Sequence, residues 1–202
     1  MTPLALIRHG PTEWNRSGRI QGRSDVPLDD EGRQAVASWV LPRDMEGYRW
    51  VASPLKRAVE TARILGVEPT LESALVEMSW GRWEGLRLEE LRGELGAVTA
   101  DDESKGLDLR RPGGESPRDV QRRIAPWLAG VASEGRATAA VTHKGVIRAA
   151  YALASGWDMT GKPTDRLNDD AVHHFLIEGD RALLIDRLNV PLGGRQDLKD
   201  PR

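Results

Sequence analysis

The chain has no cysteine. That excludes structural disulfides, thiolate metal sites and cysteine nucleophiles, and it fits a reducing, cytoplasmic setting. No apolar run approaches the length of a membrane span. Met1 to Ile7 is too short for the apolar part of a signal peptide, and Arg8 interrupts it. Neither sign of charge dominates: 29 Lys and Arg against 31 Asp and Glu leave a net charge of −2. Nothing in that balance suggests a nucleic-acid or anionic-membrane partner. Metal-ligand spacings and internal repeats are both missing, so no metal and no cofactor is expected. Aromatics other than tryptophan are scarce, with one Phe and two Tyr against seven Trp. Trp39, Trp50, Trp127 and Trp157 fall in segments that read as core elements. Trp14, Trp80 and Trp83 fall in loops, where they can line a pocket.

The pattern of elements is that of an α/β chain. Leu4-Ala5-Leu6-Ile7 reads as a strand covered on both faces. Asp29 and Asp30 open a helix ended by Pro42, and Tyr48 to Ala52 is a second strand. Ser53-Pro54 suggests a helix start, serine as N-cap and proline at the first position, running to Gly66. Thr70 to Met78 reads as a third strand and Leu86 to Leu95 as a helix. Residues 96–115 are polar and glycine-rich, the larger part of an insertion or lid at about 82–115. Ser116-Pro117 opens a long amphipathic helix to about Ser133, with a candidate kink at Pro126. Ala137 to Thr142 is another buried strand, followed by a helix over Val146 to Leu153. Val172 to Ile177 and Leu183 to Leu188 form a closing hairpin, and 190–202 reads as a loose tail. Alternating strands and helices predict one domain over 1–202, a three-layer α/β/α fold with a mostly parallel sheet.

Three polar clusters sit at carboxyl ends of predicted strands, where such sheets bind ligands. Arg8-His9-Gly10 is the first. A histidine there can attack phosphorus if its ring nitrogen is held free, the arginine can hold the anion, and the glycine permits close approach. The second is Arg57, one turn into the helix after Ser53-Pro54, where helix N–H groups and a guanidinium both suit phosphate. An exposed helix arginine paired with Glu60 or Glu68 is the plainer alternative. The third is His143-Lys144-Gly145; a satisfied core histidine is the alternative there, weakened by the second histidine at a like position. His173 and His174 are adjacent on a strand, point to opposite faces, and read as structural. Glu77 stands among apolar and aromatic residues that raise a carboxyl pKa, which suits a proton donor. Glu84 competes for that role. Arg8, Arg16, Arg19 and Arg23 lie close in sequence with only Glu13 among them, and they suggest an anionic small ligand; a solvated basic loop is the alternative for Arg16 and Arg23.

Taken in order, these residues resemble the histidine phosphatase superfamily, the phosphoglycerate-mutase-like group. The resemblance rests on Arg8-His9-Gly10-Pro11-Thr12, Asn15, Gln21-Gly22, Ser53-Pro54 with Arg57-Ala58, and Glu60-Thr61-Ala62. It continues through Glu77, Trp83-Glu84-Gly85, Pro112-Gly113-Gly114-Glu115-Ser116 and Thr142-His143. It implies His9 as a nucleophile that becomes a phosphohistidine, with Arg8, Arg57 and a protonated His143 around the phosphoryl group. It implies Glu77 as general acid/base, and Asn15, Gln21, Gly22, Lys144 and Gly145 as binding positions. Lys144 departs from the small or polar residue common there.

The expected function is hydrolysis of a small phosphorylated metabolite. The alternatives are a 2,3-bisphosphoglycerate-dependent phosphoglycerate mutase, an α-ribazole-5′-phosphate phosphatase, and a non-catalytic phospho-ligand module. Mutases of this group resemble longer chains with an extended insertion, which is short here. Residues 82–115 are expected to form the specificity wall, and Arg110, Arg111 and Lys144 hint at a second anionic group on the substrate. Homodimerisation stays open.

Overall fold

The apolar run after Thr2 forms β1 (Thr2–Arg8) in the interior of a six-stranded sheet. The computed structural model describes residues 1–95, 104–179 and 182–193. Along the chain come α1 (Glu13–Arg16), α2 (Asp30–Ala37), β2 (Arg49–Ala52), α3 (Lys56–Ile64), β3 (Thr70–Leu71) and α4 (Leu88–Leu95). The rest is α5 (Pro117–Glu134), β4 (Thr138–Thr142), α6 (Lys144–Ser155), β5 (Ala171–Glu178) and β6 (Ala182–Pro191). The strand order is β3-β2-β4-β1-β5-β6. The pairs β3–β2, β2–β4 and β4–β1 are parallel, and β5 is antiparallel to both β1 and β6. The sheet is therefore mostly parallel, with one reversed strand.

Both faces of the sheet are covered, because side chains alternate along each strand. Leu4 and Leu6 pack with Val120, Ile124, Ile147 and Tyr151 of α5 and α6. Ala5 and Ile7 face the other way, toward Met45, Val172 and Leu192, with Trp39 and Trp50 against them. Ala58 and Ala62 of α3 pack on Ala52 and Val141 on that same side. The three-layer α/β/α arrangement follows. Trp39, Trp50, Trp127 and Trp157 all pack against these cores, as expected.

Several boundaries differ from the sequence expectation. The Ser116 capping box, with Asp119 as its reciprocal partner and Pro117 at the first position, starts α5 as anticipated. The helix runs through Pro126 to Glu134 and ends on left-handed Gly135. Ser53 does not cap α3. That helix begins at Lys56, with Leu55 as N-cap, and the Asp25 carboxylate accepts the Lys56 N–H at 2.7 Å. The third strand is only Thr70–Leu71; the chain then turns through a 3₁₀ segment, Ser73–Leu75, and Glu77 lies in a loop. The tail is not loose from its start. β6 extends to Pro191, and Val190 and Leu192 belong to the core. The rest of that stretch, from 194, lies outside the described residues, as do residues 96–103 of the expected lid. Among the described residues, no helix is long and apolar enough to cross a membrane.

Candidate active site

Three neighbouring parallel strands deliver the site. His9 continues β1 by donating its N–H to the Thr142 carbonyl at 2.9 Å, and Ser53 continues β2 by donating to the Val141 carbonyl at 3.0 Å. β4 lies between them and ends in Thr142, so His9, His143 and Ser53 stand side by side at the carboxyl edge. The His9 and His143 rings are 5.1 Å apart between centroids, with planes tilted by 57°.

His9 is 5% exposed. Its Nδ1 is 2.6 Å from the Gly10 carbonyl oxygen. A carbonyl only accepts, so Nδ1 carries the proton and the Nε2 lone pair is free. Arg57 Nε donates toward that Nε2 at 3.3 Å. Burial first, then the charges of Arg8 and Arg57, hold the His9 pKa well below 6.5 against the opposing Gly10 bond. A resting His9 is therefore neutral.

Arg57 is fully buried. Its two terminal nitrogens donate to the Ser24 and Gly22 carbonyls, each at 2.8 Å. Neither suggested partner binds it. Glu60 accepts from Leu28 and Arg33, and Glu68 from Arg63. The α3 N-terminus does not offer Lys56 N–H to a ligand, because Asp25 takes it. Arg8 forms an ion pair with Asp169, whose other oxygen is 3.2 Å from Lys144 Nζ.

His143 is fully buried, with Nε2 2.7 Å from Ser53 Oγ. Burial, then His9, Arg57, Arg8 and Arg123, hold its pKa well below 6.5. That direction opposes the protonated His143 of the sequence expectation: burial first, and then the cations that would help bind phosphate, disfavour the proton.

Glu77 reaches the site from the loop after Ser73–Leu75. That turn is fixed by Thr142 Oγ1 donating to the Leu75 carbonyl at 2.8 Å. Glu77 Oε1 accepts Met78 N–H at 2.8 Å, and Oε2 accepts Gly145 N–H at 3.2 Å. Burial raises the Glu77 pKa above 4.5, outweighing the lowering by the two amides and by Arg57 and Arg8. The Gly145 amide therefore serves Glu77, whereas the sequence suggested it for phosphate. Glu84 is differently committed. Its carboxylate accepts the amides of Arg23, Ser24 and Trp80 at 3.0 to 3.1 Å, and the Ser24 hydroxyl at 2.9 Å. It ties the 22–24 loop to the 79–80 loop.

These groups open into a cavity of about 780 Å³, within the range of small-molecule sites. Arg8, His9, Arg57, Glu77, Lys144 and Gly145 line it. Asn15, Gln21, Gly22 and Trp80 add to the wall, as do Leu109, Met159, Arg148 and Lys162. Every expected site residue lines it except His143, whose ring lies beside that of His9. Leu107 N–H donates to the Asp158 carbonyl at 2.8 Å and joins the 104–109 segment to the 158–162 loop. Three site atoms are buried without a hydrogen-bond partner: Arg8 Nε, Gln21 Oε1 and His143 Nδ1. Buried polar atoms are rarely left so, and in a cavity open to solvent, water or a polar ligand can complete them.

Other expectations are corrected here. Trp14 and Trp83 do not line the cavity; Trp83 is buried under the Arg111 guanidinium, 4.0 Å away. Arg110 pairs with Asp119 at 2.5 Å. Neither arginine faces the cavity. Of the loop arginines, Arg16 pairs with Asp29 and Arg23 with Glu115, so the solvated alternative holds for both. His173 is bonded to the Asn168 carbonyl at 3.1 Å, a structural role as expected. Sequence reasoning missed Asp169, Arg148 and Lys162, which belong to no motif. It assigned Ser53 a different task.

A mostly parallel sheet that brings two histidines together at adjacent strand ends accords with the superfamily the sequence resembles. The description "Histidine phosphatase superfamily (branch 1)" matches residues 4–190; the chain belongs to this superfamily. A Salmonella paratyphi C protein named "Probable phosphoglycerate mutase GpmB" is 34% identical over 134 residues, 64% of this chain and 62% of that protein. The chain thus spans less than two thirds of the length of that relative. Phosphoglycerate mutase-like protein 4 of Arabidopsis thaliana is 30% identical over 189 residues, 88% of this chain and 81% of its own. Among solved structures, a mycobacterial glucosyl-3-phosphoglycerate phosphatase with VO3 superposes with a TM-score of 0.79 at 26% identity, covering 94% of this chain and 100% of that one. A phosphoserine phosphatase from Entamoeba histolytica, in complex with 3-phosphoglyceric acid, gives 0.76 at 26% identity, covering 94% and 97%.

Proposed function

We propose that the chain is a phosphomonoesterase acting on a small phosphorylated metabolite through a phosphohistidine on His9. The observation that carries the reading is the His9 Nδ1–Gly10 bond. It leaves Nε2 unprotonated and at the edge of a cation-lined cavity, a nucleophile that needs no base to activate it.

In the first step Nε2 attacks phosphorus and the P–O ester bond breaks. Charge on the transferring phosphoryl oxygens is stabilised by Arg8 and Arg57, fixed in place before substrate arrives. Arg57 Nε moves its hydrogen bond from His9 to a phosphoryl oxygen. Ser53 Oγ is 2.7 Å from His143 Nε2, and in this reading its hydroxyl donates to that nitrogen. His143 Nδ1 then carries the ring proton and donates it as a hydrogen bond, in the neutral form. Glu77, whose pKa burial raises, gives its proton to the leaving oxygen. In the second step water attacks phosphorus, Glu77 takes its proton, and the N–P bond breaks to release phosphate.

Phosphate release from p-nitrophenyl phosphate and a panel of phosphometabolites tests this. The mutase reading, favoured by the names of the Salmonella and Arabidopsis relatives, is separated by assaying 3-phosphoglycerate with and without 2,3-bisphosphoglycerate. Interconversion faster than phosphate release would establish it. A phosphorylated His9 that never turns over on any substrate would establish the binding module.

A further inference from the structure

The cavity carries more positive charge than one phosphoryl group uses. Its lining includes six cationic side chains and a single carboxylate, Glu77. Four of the six are engaged. Arg8 and Lys144 share Asp169, Arg57 holds two backbone carbonyls, and Arg19 donates to the Gly85 carbonyl at 2.8 Å. Arg148 and Lys162 differ. Neither has a hydrogen bond or an ion pair among the described residues.

Arg148 is the more informative of the two. It lies on α6 one turn after Lys144, so both face the same side of the helix. Its guanidinium carbon lies 4.9 Å from the centre of the Trp157 ring, which restrains the planar group. Partial burial lowers its pKa, and Asp169, which lines a small pocket beside it, is engaged by Arg8 and Lys144. A guanidinium removed from water without an anion is unfavourable, and a ligand anion would restore the balance. Lys162 reaches the same cavity from the loop beyond Trp157. Met78, Trp80, Leu109 and Met159 supply apolar wall, suited to the organic body of a ligand.

We infer that Arg148 and Lys162 form a subsite for a second anionic group, so that the preferred substrate is a phosphomonoester bearing a carboxylate or second phosphate. This rests on the phosphatase reading above. It replaces the Arg110–Arg111 pair, whose guanidinium groups are occupied elsewhere.

The test compares kcat/KM for 3-phosphoglycerate and fructose 1,6-bisphosphate with that for glycerol 3-phosphate, which has no second anion. The wild type is expected to favour one or both doubly anionic substrates by about tenfold or more. Arg148→Gln should reduce that ratio by about 10- to 100-fold, mainly through KM, the range of a charge-assisted hydrogen bond. Lys162→Gln, at an exposed position that folding does not need, should reduce it about 3- to 10-fold, and Arg148→Lys should recover part of the loss. The substrate that depends more on Arg148 identifies the anion. A wild type without the preference, or variants that slow all three substrates equally, would overturn the subsite. Should the wild type release no phosphate from any ester, the phosphatase reading fails separately. The Kd of 3-phosphoglycerate still decides the subsite then: weaker in Arg148→Gln upholds it, unchanged refutes it.

Discussion

Glu77 rests directly on the backbone of Gly145. Its carboxylate accepts the Gly145 amide at 3.2 Å, and a Cβ at position 145 would overlap Oε1. Glycine at the start of α6 is therefore a steric condition for placing the proposed acid. Gly145→Ala is expected to displace the carboxylate and lower kcat on alkyl phosphates by about 10²-fold, the effect of an ångström of misplacement. Hydrolysis of p-nitrophenyl phosphate, whose leaving group needs little protonation, should fall much less. Equal losses on both would show that the alanine disturbs the phosphate end instead.

Glu77 and Glu84 separate by the same pair of substrates. Glu77→Gln should slow alkyl phosphates by about 10²- to 10⁴-fold, the span of general acid catalysis, and p-nitrophenyl phosphate less. Glu84→Ala leaves the Arg23, Ser24 and Trp80 amides without their acceptor. It should lower unfolding stability by about 1–3 kcal/mol or more and slow both substrates alike. Thermal unfolding beside steady-state kinetics distinguishes the two.

Ser53 is the hydrogen-bond partner of His143, and Ser53→Ala removes it. The buried ring then loses its orientation. We expect a stability loss of about 1–3 kcal/mol and a lower kcat with both substrates, because the defect lies on the phosphoryl side. Ser53→Thr, which keeps a hydroxyl, should recover activity if the larger side chain is accommodated.

The pH profile follows from two opposed shifts. His9 must be neutral, and its pKa is depressed below 6.5, so the acid limb of kcat/KM lies below that value. Glu77 must be protonated, and its pKa is raised above 4.5, so activity on alkyl phosphates declines as pH rises through the raised value. Glu77→Gln should remove this alkaline limb. Stability moves with the histidines. The unfolded chain binds protons near pH 6.5 that buried His9 and His143 refuse, so their contribution is full above 6.5 and is lost as pH falls below it. Tm measured from pH 8 to 5 should drop less steeply in a His9→Gln/His143→Gln double variant.

Much of this arrangement was legible in the residues themselves. Leu4 to Ile7 and Ala137 to Thr142 read as strands covered on both sides, and their polar ends place His9 and His143 together once the strands pair. Local capping chemistry read Ser116-Pro117 correctly and Ser53-Pro54 wrongly, because a serine side chain cannot report whether a distant imidazole claims it. Thr70 to Met78 looked extended because its apolar residues serve packing, Leu75 being buried beneath Thr142. Charge partners were the least legible. Nothing in the sequence links Asp169 to Arg8, or tells Arg111, stacked on Trp83, from Arg148, which faces the cavity. Such pairings are made by tertiary approach alone. Charge demand alone does not report the proton on His143 either, because burial by the fold lowers its pKa.

The central claim is that His9 Nε2 takes the phosphoryl group. Rapid acid-free quenching of the wild type with ³²P-labelled substrate, followed by peptide mapping, tests it most directly. The account predicts alkali-stable, acid-labile label on His9 during turnover and none in His9→Ala. Label on another residue, or turnover persisting in His9→Ala, would contradict it.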